Sequence, residues 1–358
     1  SEQISLFFNK DLGYNRDYVI YAQLPRDWSV KGVQKMESIR EQLAQMPEVK
    51  NITMSWEIPD GSNGGNSPIY KQGSNPAQAI TSQNLAADNQ YAATYNIPLK
   101  AGTFFKPVFM VADTAQVVIN ETASKALGYP APENAIGQRI MIPGVNIPFT
   151  ICGVTADFHF GSMQSRIQPI TFFNVNYTTY YRFFSIKVKP GNMLRNLQAL
   201  QKKWAEVLPG APFEYSFIDE ALAKVYQSEI QLKQASYIAT ILAIIIVLLG
   251  VLGLISLSIQ KRTKEIGIRK VLGSSVAGII SLFMKEFLGV ILIAGLIACP
   301  VAYLIMNQWL NDYAYKVAIT LNPFMIAIAG LTLVTAILIT IQTIKAALDS
   351  PVKSLRSE

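Results

Sequence analysis

Three long stretches without a charged residue dominate the hydrophobic pattern of the C-terminal third. No Asp, Glu, Lys or Arg occurs between Lys233 and Lys261, and the apolar core of that stretch runs from Tyr237 to Ile259. A second uncharged run extends from Phe287 to Leu310 and a third from Val317 to Ile344. Each is long enough for the roughly 20 residues that a helix needs to cross a bilayer. The pattern therefore predicts three transmembrane helices at about 237–259, 287–310 and 317–344.

The preceding residues alternate shorter strand and helix patterns. Strands are predicted at Tyr18–Leu24, Asn51–Trp56, Gln116–Asn120, Arg139–Ile142, Phe149–Val154, Ile170–Asn174, Phe184–Val188 and Phe213–Phe217. An amphipathic helix is predicted over Ser29–Met46, capped by Ser29, with Val33, Met36, Ile39, Leu43 and Met46 on one face; another covers Leu194–Val207. The polar stretch at 59–77, PDGSNGGNSPIYKQGSNPA, reads as one long loop and a candidate contact surface. Residues 1–218 thus form an α+β domain with room for two lobes. Asp219 can cap a following helix carrying Leu222, Val225, Tyr226 and Ile230. With no Pro or Gly over 219–249, one continuous helix is expected to run through a stalk (219–236) into the first span.

Composition sharpens this picture. Of 358 residues 50% are hydrophobic and 15% charged, with mean hydropathy +0.25. A soluble domain carries about 25% charged residues, so the composition excludes a disordered chain and argues against a wholly soluble one. The net charge of +7 is concentrated at the end: residues 231–358 hold 11 Lys and Arg against 5 Asp and Glu. Lys261, Arg262, Lys264, Arg269 and Lys270 fill the first connection (260–286), and Lys345, Lys353 and Arg356 the tail (345–358). The positive-inside rule puts both in the cytoplasm and residues 1–230 outside, with Trp309, Tyr313 and Tyr315 as an aromatic belt at the outer boundary. The basic pI near 9.2 thus reflects membrane topology and contact with lipid, not nucleic acid. An outer domain without a preceding hydrophobic span implies at least one more transmembrane helix upstream, this chain being the C-terminal part of a longer protein.

Small residues stud the spans: Gly250 and Gly253 in the first, Ala294, Ala298 and Ala302 in the second, with Gly295 and Cys299 offset by one. They suit close helix approach, within one subunit or across a dimer seam. Pro300 predicts a kink or hinge. Cys299 lies inside an apolar run, so no disulfide with Cys152 is expected.

Candidate chemistry is sparse. His159 is the sole histidine; Asp157 and Ser162 are too close to it in sequence for triad geometry, and no G-x-S-x-G accompanies them. One His and two distant Cys cannot assemble a metal site. No G-x-x-x-x-G-K-[ST] is present to cradle a nucleotide. No catalytic, cofactor-binding or metal-ligating residue is therefore expected. The connection after the first span is richer: Ile266, Ile268, Val271 and Leu272 interleave its charges. Ser275 can then cap an amphipathic piece with Val276, Ile279, Ile280, Phe283 and Met284 on one side. Charges and apolar anchors together make a docking knob for a cytoplasmic partner.

That segment, KRTKEIGIRKVLGSS, closely resembles the signature after the first of the three C-terminal membrane helices in FtsX/MacB-type ABC transporter permeases. VINETASKALG with AIGQRI after it, GVTADFHFGSMQSRIQPITFF and PFEYSFIDEALAKVYQSE are similar to the family's periplasmic core domain. SPVKSLRSE is similar to the ending of Bacteroidetes-type members, and NKDLGYNRDYVI to the stretch that follows a membrane helix in their second half. The resemblance implies a MacB-like periplasmic core domain followed by an FtsX-like domain of three helices, multi-pass in the bacterial inner membrane. It implies mechanotransmission: a cytoplasmic ABC ATPase binds ATP and Mg, and the permease, not itself an enzyme, passes the motion to the periplasmic domain for export or efflux of a drug, peptide or lipoprotein. The coupling element would be Lys261, Arg262, Glu265, Gly267, Arg269 and Lys270. A second permease module or a homodimer partner is implied, and candidate periplasmic partners are an adaptor, an outer-membrane protein or a hydrolase. The alternatives are a regulator of a periplasmic cell-wall hydrolase and an ATP-independent membrane-anchored sensor or binding protein.

Overall fold

The structure is a computed structural model that describes residues 12–62, 64–105, 115–262, 265–266, 268–269, 272–311 and 313–348. They fall into two compact units, one ending at Ser228 and one beginning at Glu229. In chain order the elements of the first are β1 (Val19–Gln23), α1 (Val30–Ala44), β2 (Val49–Ser55), β3 (Asn66–Lys71), β4 (Ile80–Ala87), α2 (Tyr91–Tyr95), β5 (Leu99–Gly102), β6 (Gln116–Asn120), α3 (Glu121–Ala126), β7 (Arg139–Ile142), β8 (Val145–Thr155), β9 (Ile170–Asn174), α4 (Val175–Thr178), β10 (Phe183–Val188), α5 (Met193–Val207), β11 (Tyr215–Phe217) and α6 (Ile218–Val225). Three long helices follow: α7 (Gln227–Lys261), α8 (Val276–Asn311) and α9 (Asn322–Leu348).

The first unit has two lobes, as its size allows. One is an antiparallel sheet in the order β11-β1-β10-β2. Strand alternation turns Phe184, Ile186 and Val188 of β10 into a core shared with α1 and α5. Ser29 caps α1 by accepting the Gly32 N–H at 3.0 Å, and Val33, Met36, Ile39 and Leu43 form its buried face. From α5 the core receives Leu197, Leu200 and Trp204, whose indole N–H donates to the Ala211 carbonyl at 3.1 Å.

The second lobe closes on itself. β4 pairs with β3, β3 with β7, β7 with β8, β8 with β6, β6 with β9, and β9 returns to β4. The ring of six strands is a small barrel in which β4–β9 and β6–β8 run parallel. Ile69, Val117, Ile119, Ile140, Phe149, Ile151 and Phe173 join Ala123 of α3 and Leu127 just after it in the core. Closure leaves no unpaired edge in the ring. The sheet and the barrel meet where Ser55 of β2 pairs with Ala87 of β4.

Beside that junction lies a buried ion pair. Asp88 is 2% exposed and Arg40 is 8% exposed. The Asp88 carboxylate accepts bonds from Arg40 of α1, from the Thr53 hydroxyl, from the Met54 N–H at 2.8 Å and from the Gln90 N–H at 2.9 Å.

The structure corrects four sequence expectations. The 59–77 stretch is not one loop: it contains β3, a continuous strand of mixed polarity with Pro68 inside it, and its partner β4 was also unforeseen. The helix expected over 219–249 is divided at Tyr226, between α6 and α7. The phenol there is buried, its oxygen accepts the Met163 N–H at 2.9 Å, and the backbone leaves helical geometry at φ −97° and ψ 13°. Asp219 does not cap α6: the cap position is Phe217, and Asp219 sits in the first turn, paired with Arg16 at 2.9 Å. The third apolar helix begins at Asn322, not Val317. Pro300 stands inside the continuous helix α8. Among the described residues three helices are long and apolar enough to cross a membrane, over Ile230–Lys261, Ala277–Asn311 and Asn322–Lys345.

The buried pair sets a stability test. Arg40→Ala strands the Asp88 carboxylate in the interior and should cost about 3–5 kcal/mol. Lys203→Ala, which removes an exposed i,i+3 pair with Glu206 at 2.8 Å, should cost no more than about 0.5 kcal/mol. Thermal unfolding of the two variants in lipid nanodiscs compares them directly.

Candidate functional site

The connection between α7 and α8 is built as a folded knob. The Ile266 N–H donates to the Arg262 carbonyl at 2.9 Å, and the Leu272 N–H to the Ile268 carbonyl at 3.0 Å. Gly273 ends the turn at φ +87°, and the Ser274 N–H returns to the Arg269 carbonyl at 2.9 Å. The Ser275 hydroxyl then caps α8, accepting the Gly278 N–H at 3.2 Å. Ile266 is 5% exposed and packs with Ile255 and Ile259 of α7, Ile279 and Phe283 of α8, and Ile339 of α9. Burial of one such side chain stabilises by roughly 1.5–3 kcal/mol, enough to fasten the knob where all three helices meet.

The charged residues divide by role. Arg262 donates to Glu286 of α8 at 2.7 Å and lies 5.8 Å over the Phe283 ring, so it ties the knob to α8. Glu265 and Arg269 pair at 2.7 Å, one helical turn apart, and both remain about half exposed. Lys261 is exposed. Ile268 at 53% and Leu272 at 78% exposure point apolar surface outward. Gly267 and Lys270, two further residues of the expected coupling set, lie outside the described residues. Glu286 was missed as a site residue, although its position as an acid between Lys285 and the second apolar run was a signal.

The small residues of the spans do not act as one set. A Cβ on Gly295 would lie 3.2 Å from Ile328 Cδ1, so Gly295 lets α9 approach α8. Ala294, Ala298 and Ala302 are exposed. Gly250 and Gly253 are also exposed, with nothing within 4 Å of an added Cβ.

Elsewhere, candidate catalytic groups are occupied. Asp157 directs one oxygen to the Thr122 N–H at 2.9 Å and the other to the Thr122 hydroxyl at 2.8 Å; the Ser162 hydroxyl accepts the Gln164 N–H at 3.1 Å. His159 is buried, with its backbone N–H donating to the Leu12 carbonyl at 2.8 Å. Among the described residues no three His, Cys, Asp or Glu side chains come together as a metal site. Cys152 and Cys299 are not joined in a disulfide, and the Cys152 thiol donates to the Val117 carbonyl at 3.3 Å.

The family of MacB-like periplasmic core domains matches residues 6–202, and the family of FtsX-like permease C-terminal domains matches residues 237–351. The chain belongs to the FtsX/MacB-type permeases. A macrolide export ATP-binding/permease protein, MacB of Mannheimia succiniciproducens, is 26% identical over 282 residues, 76% of this chain and 41% of that protein. A pyoverdine export ATP-binding/permease protein, PvdT of Pseudomonas syringae pv. tomato, is 24% identical over 353 residues, 95% of this chain and 51% of that protein. The chain thus spans about half the length, or less, of these relatives. Among solved structures, the periplasmic region of MacB from Actinobacillus actinomycetemcomitans matches at 15% identity and TM-score 0.38, covering 58% of this chain and 92% of that one. The permease therefore combines a MacB-like periplasmic core domain with three apolar FtsX-like helices.

One titratable group in the MacB-like domain is strongly displaced. Glu57 is 5% exposed, and its burial pushes the carboxyl from 4.5 up to about 7, against the opposing effect of the Ala86 and Gly64 N–H groups that it accepts at 2.8 and 2.9 Å. Asp60, raised in the same way, and the buried Tyr91 are its ionisable neighbours. The folded Glu57 keeps its proton to about pH 7, whereas the unfolded one releases it near 4.5. Over that window the folded state binds more protons, so stability falls as pH rises and is lowest above 7. The Glu57 share is about 3 kcal/mol. Unfolding midpoints from pH 5 to 8 should decline in the native protein and decline less steeply in Glu57→Gln.

Proposed function

We propose that the chain is the permease module of an ABC exporter, embedded in the inner membrane with its MacB-like domain in the periplasm and the knob and tail in the cytoplasm. The knob docks on a cytoplasmic ATPase that binds ATP and Mg. Movement of that ATPase passes through the knob into the helices and on to the periplasmic domain. The outward small residues, Gly250 and Gly253 in particular, suit close approach by a second permease module or a second copy. Macrolide and pyoverdine export by relatives supports export as the class of activity.

The reading rests on Ile266. It is the buried anchor of an otherwise polar, exposed turn, and its neighbours come from all three helices. A load on the exposed face of the turn therefore reaches the whole bundle, whereas a solvated loop would absorb it. Outward, the knob offers the Glu265–Arg269 pair beside Ile268 and Leu272, the mixture of charge pattern and apolar anchor that specifies a protein partner.

The test exchanges charge and keeps the fold. Glu265→Lys with Arg269→Glu preserves an i,i+4 pair while inverting what a partner meets. Native and exchanged permeases are purified with the cognate ABC ATPase and reconstituted in nanodiscs. The native protein should retain the ATPase and stimulate hydrolysis, and the exchange should lower both by about tenfold or more. Equal coupling by both forms would remove the knob from the interface. A native protein that binds no ABC ATPase would overturn the exporter reading.

A further inference from the structure

A cleft of about 520 Å³ opens between the sheet and the barrel of the MacB-like domain, within the range of sites that hold small organic molecules. Its apolar wall comes from both lobes. Trp28 and Trp56 stand beside the sheet, Tyr180 follows α4, and Phe149 and Phe173 belong to the barrel. The three outermost rings meet at an angle, not in a stack. Trp28 lies 5.4 Å from Trp56 at 60° and 5.6 Å from Tyr180 at 82°; Trp56 and Tyr180 are 6.1 Å apart at 62°. Rings set in this way form an aromatic corner in the wall of the cleft.

The polar groups of the cleft have one character. Glu57 lines it with a carboxyl that has no Lys or Arg as an ion-pair partner among the described residues. Asn84 donates from Nδ2 to the Ser67 hydroxyl at 2.6 Å, while its Oδ1 is buried without a hydrogen-bond partner. An orphaned buried acceptor is costly and calls for a donor. The lining contains no Lys, Arg or His. Outside the cleft, the exposed Arg26 already rests 5.9 Å from the Trp28 ring, so the cation-accepting faces left to a guest are those of Trp56 and Tyr180. Gly64 makes room at the Glu57 end: a Cβ there would stand 2.7 Å from Glu57 Oε1 and 3.6 Å from Trp56 Cδ1.

We infer that this cleft is a binding site for a small organic cation with an apolar body, whose charged nitrogen is held between the Glu57 carboxylate and the Trp56 and Tyr180 rings. A donor hydrogen on the guest would also satisfy Asn84 Oδ1. Aromatic faces attract such a cation through their quadrupole, and the carboxylate gains the countercharge that the chain does not supply. Anions are disfavoured by the same lining. Because its walls come from two lobes joined at β2 and β4, an occupied cleft would bridge them. The inference does not depend on the ATPase assignment and is read by binding alone.

The test uses the whole chain in phosphatidylcholine nanodiscs at pH 8, where Glu57 is ionised, with benzyltriethylammonium as cationic probe and benzenesulfonate as anionic probe, followed by calorimetry and by tryptophan fluorescence. Saturable binding of the cation and none of the sulfonate is expected. Tyr180→Ala and Glu57→Gln should each weaken the cation by about tenfold. Tyr180 is 52% exposed, so its removal leaves the fold intact and separates loss of binding from loss of structure. No saturable binding of the cation, equal or tighter binding of the sulfonate, or cation binding indifferent to both substitutions would each overturn the assignment. These results leave the exporter reading untouched, since knob exchange and ATPase coupling are measured without the probes.

Discussion

The Asp88 carboxylate is where the MacB-like domain is held together. It sits immediately after β4, the strand that belongs to the barrel and also touches the sheet. Through its two oxygens it collects Arg40 from α1, Thr53 and Met54 from β2, and Gln90 at the start of α2. Its own N–H donates back to the Met54 carbonyl at 3.0 Å. Three stretches distant in sequence, α1, β2 and residues 88–90, are thereby fixed at one point. A buried charge tolerates such a place only because each lone pair is used. Two cores that share no residues, one under α1 and α5 and one inside the barrel, are in this way held in register.

A comparable economy governs the knob. A turn that presents charges on its surface still needs apolar anchors, because a turn made only of charges would not hold a shape. The sequence KEIGIRK solves this by interleaving. Ile266 turns inward to the three helices, Arg262 reaches across to Glu286, and Glu265 and Arg269 face out as a pair. The cleft near Glu57 uses the opposite strategy, with an acid brought inside and left without an internal counterion.

Much of this was legible in one dimension. The apolar runs give the long helices because nothing else accommodates so many uncharged residues. Ser29 announces α1, and Ser275 announces α8, through local hydrogen bonds that depend only on neighbours. What escaped was non-local. β3 has the composition of a loop and becomes a strand because β4 and β7 take up its backbone groups on both sides. The split at Tyr226 depends on a bond to Met163, far away in sequence. The apolar periodicity of α6 and α7 alone predicts no such interruption. Nothing in the sequence singles out Glu57; the Gly64 N–H that its carboxyl accepts lies seven residues on, and no spacing rule encodes its burial. Family resemblance supplied the overall plan, while the partition of the knob into inward and outward residues needed coordinates.

The barrel has a consequence for how the chain is made. Its closing strand, β9, is the last of the six to be synthesised, and it seals the ring by pairing in parallel with β4 and antiparallel with β6. Until β9 emerges, the partly built sheet carries two open flanks, one of them on Leu85, Ala86 and Ala87. Open flanks of this kind recruit other strands, and pairings between remote segments form slowly. The nascent domain therefore passes through an interval of vulnerability to misassembly that ends only when Ile170–Asn174 docks. A chain interrupted before that point would be exposed to proteolysis and aggregation even though most of its sequence is present.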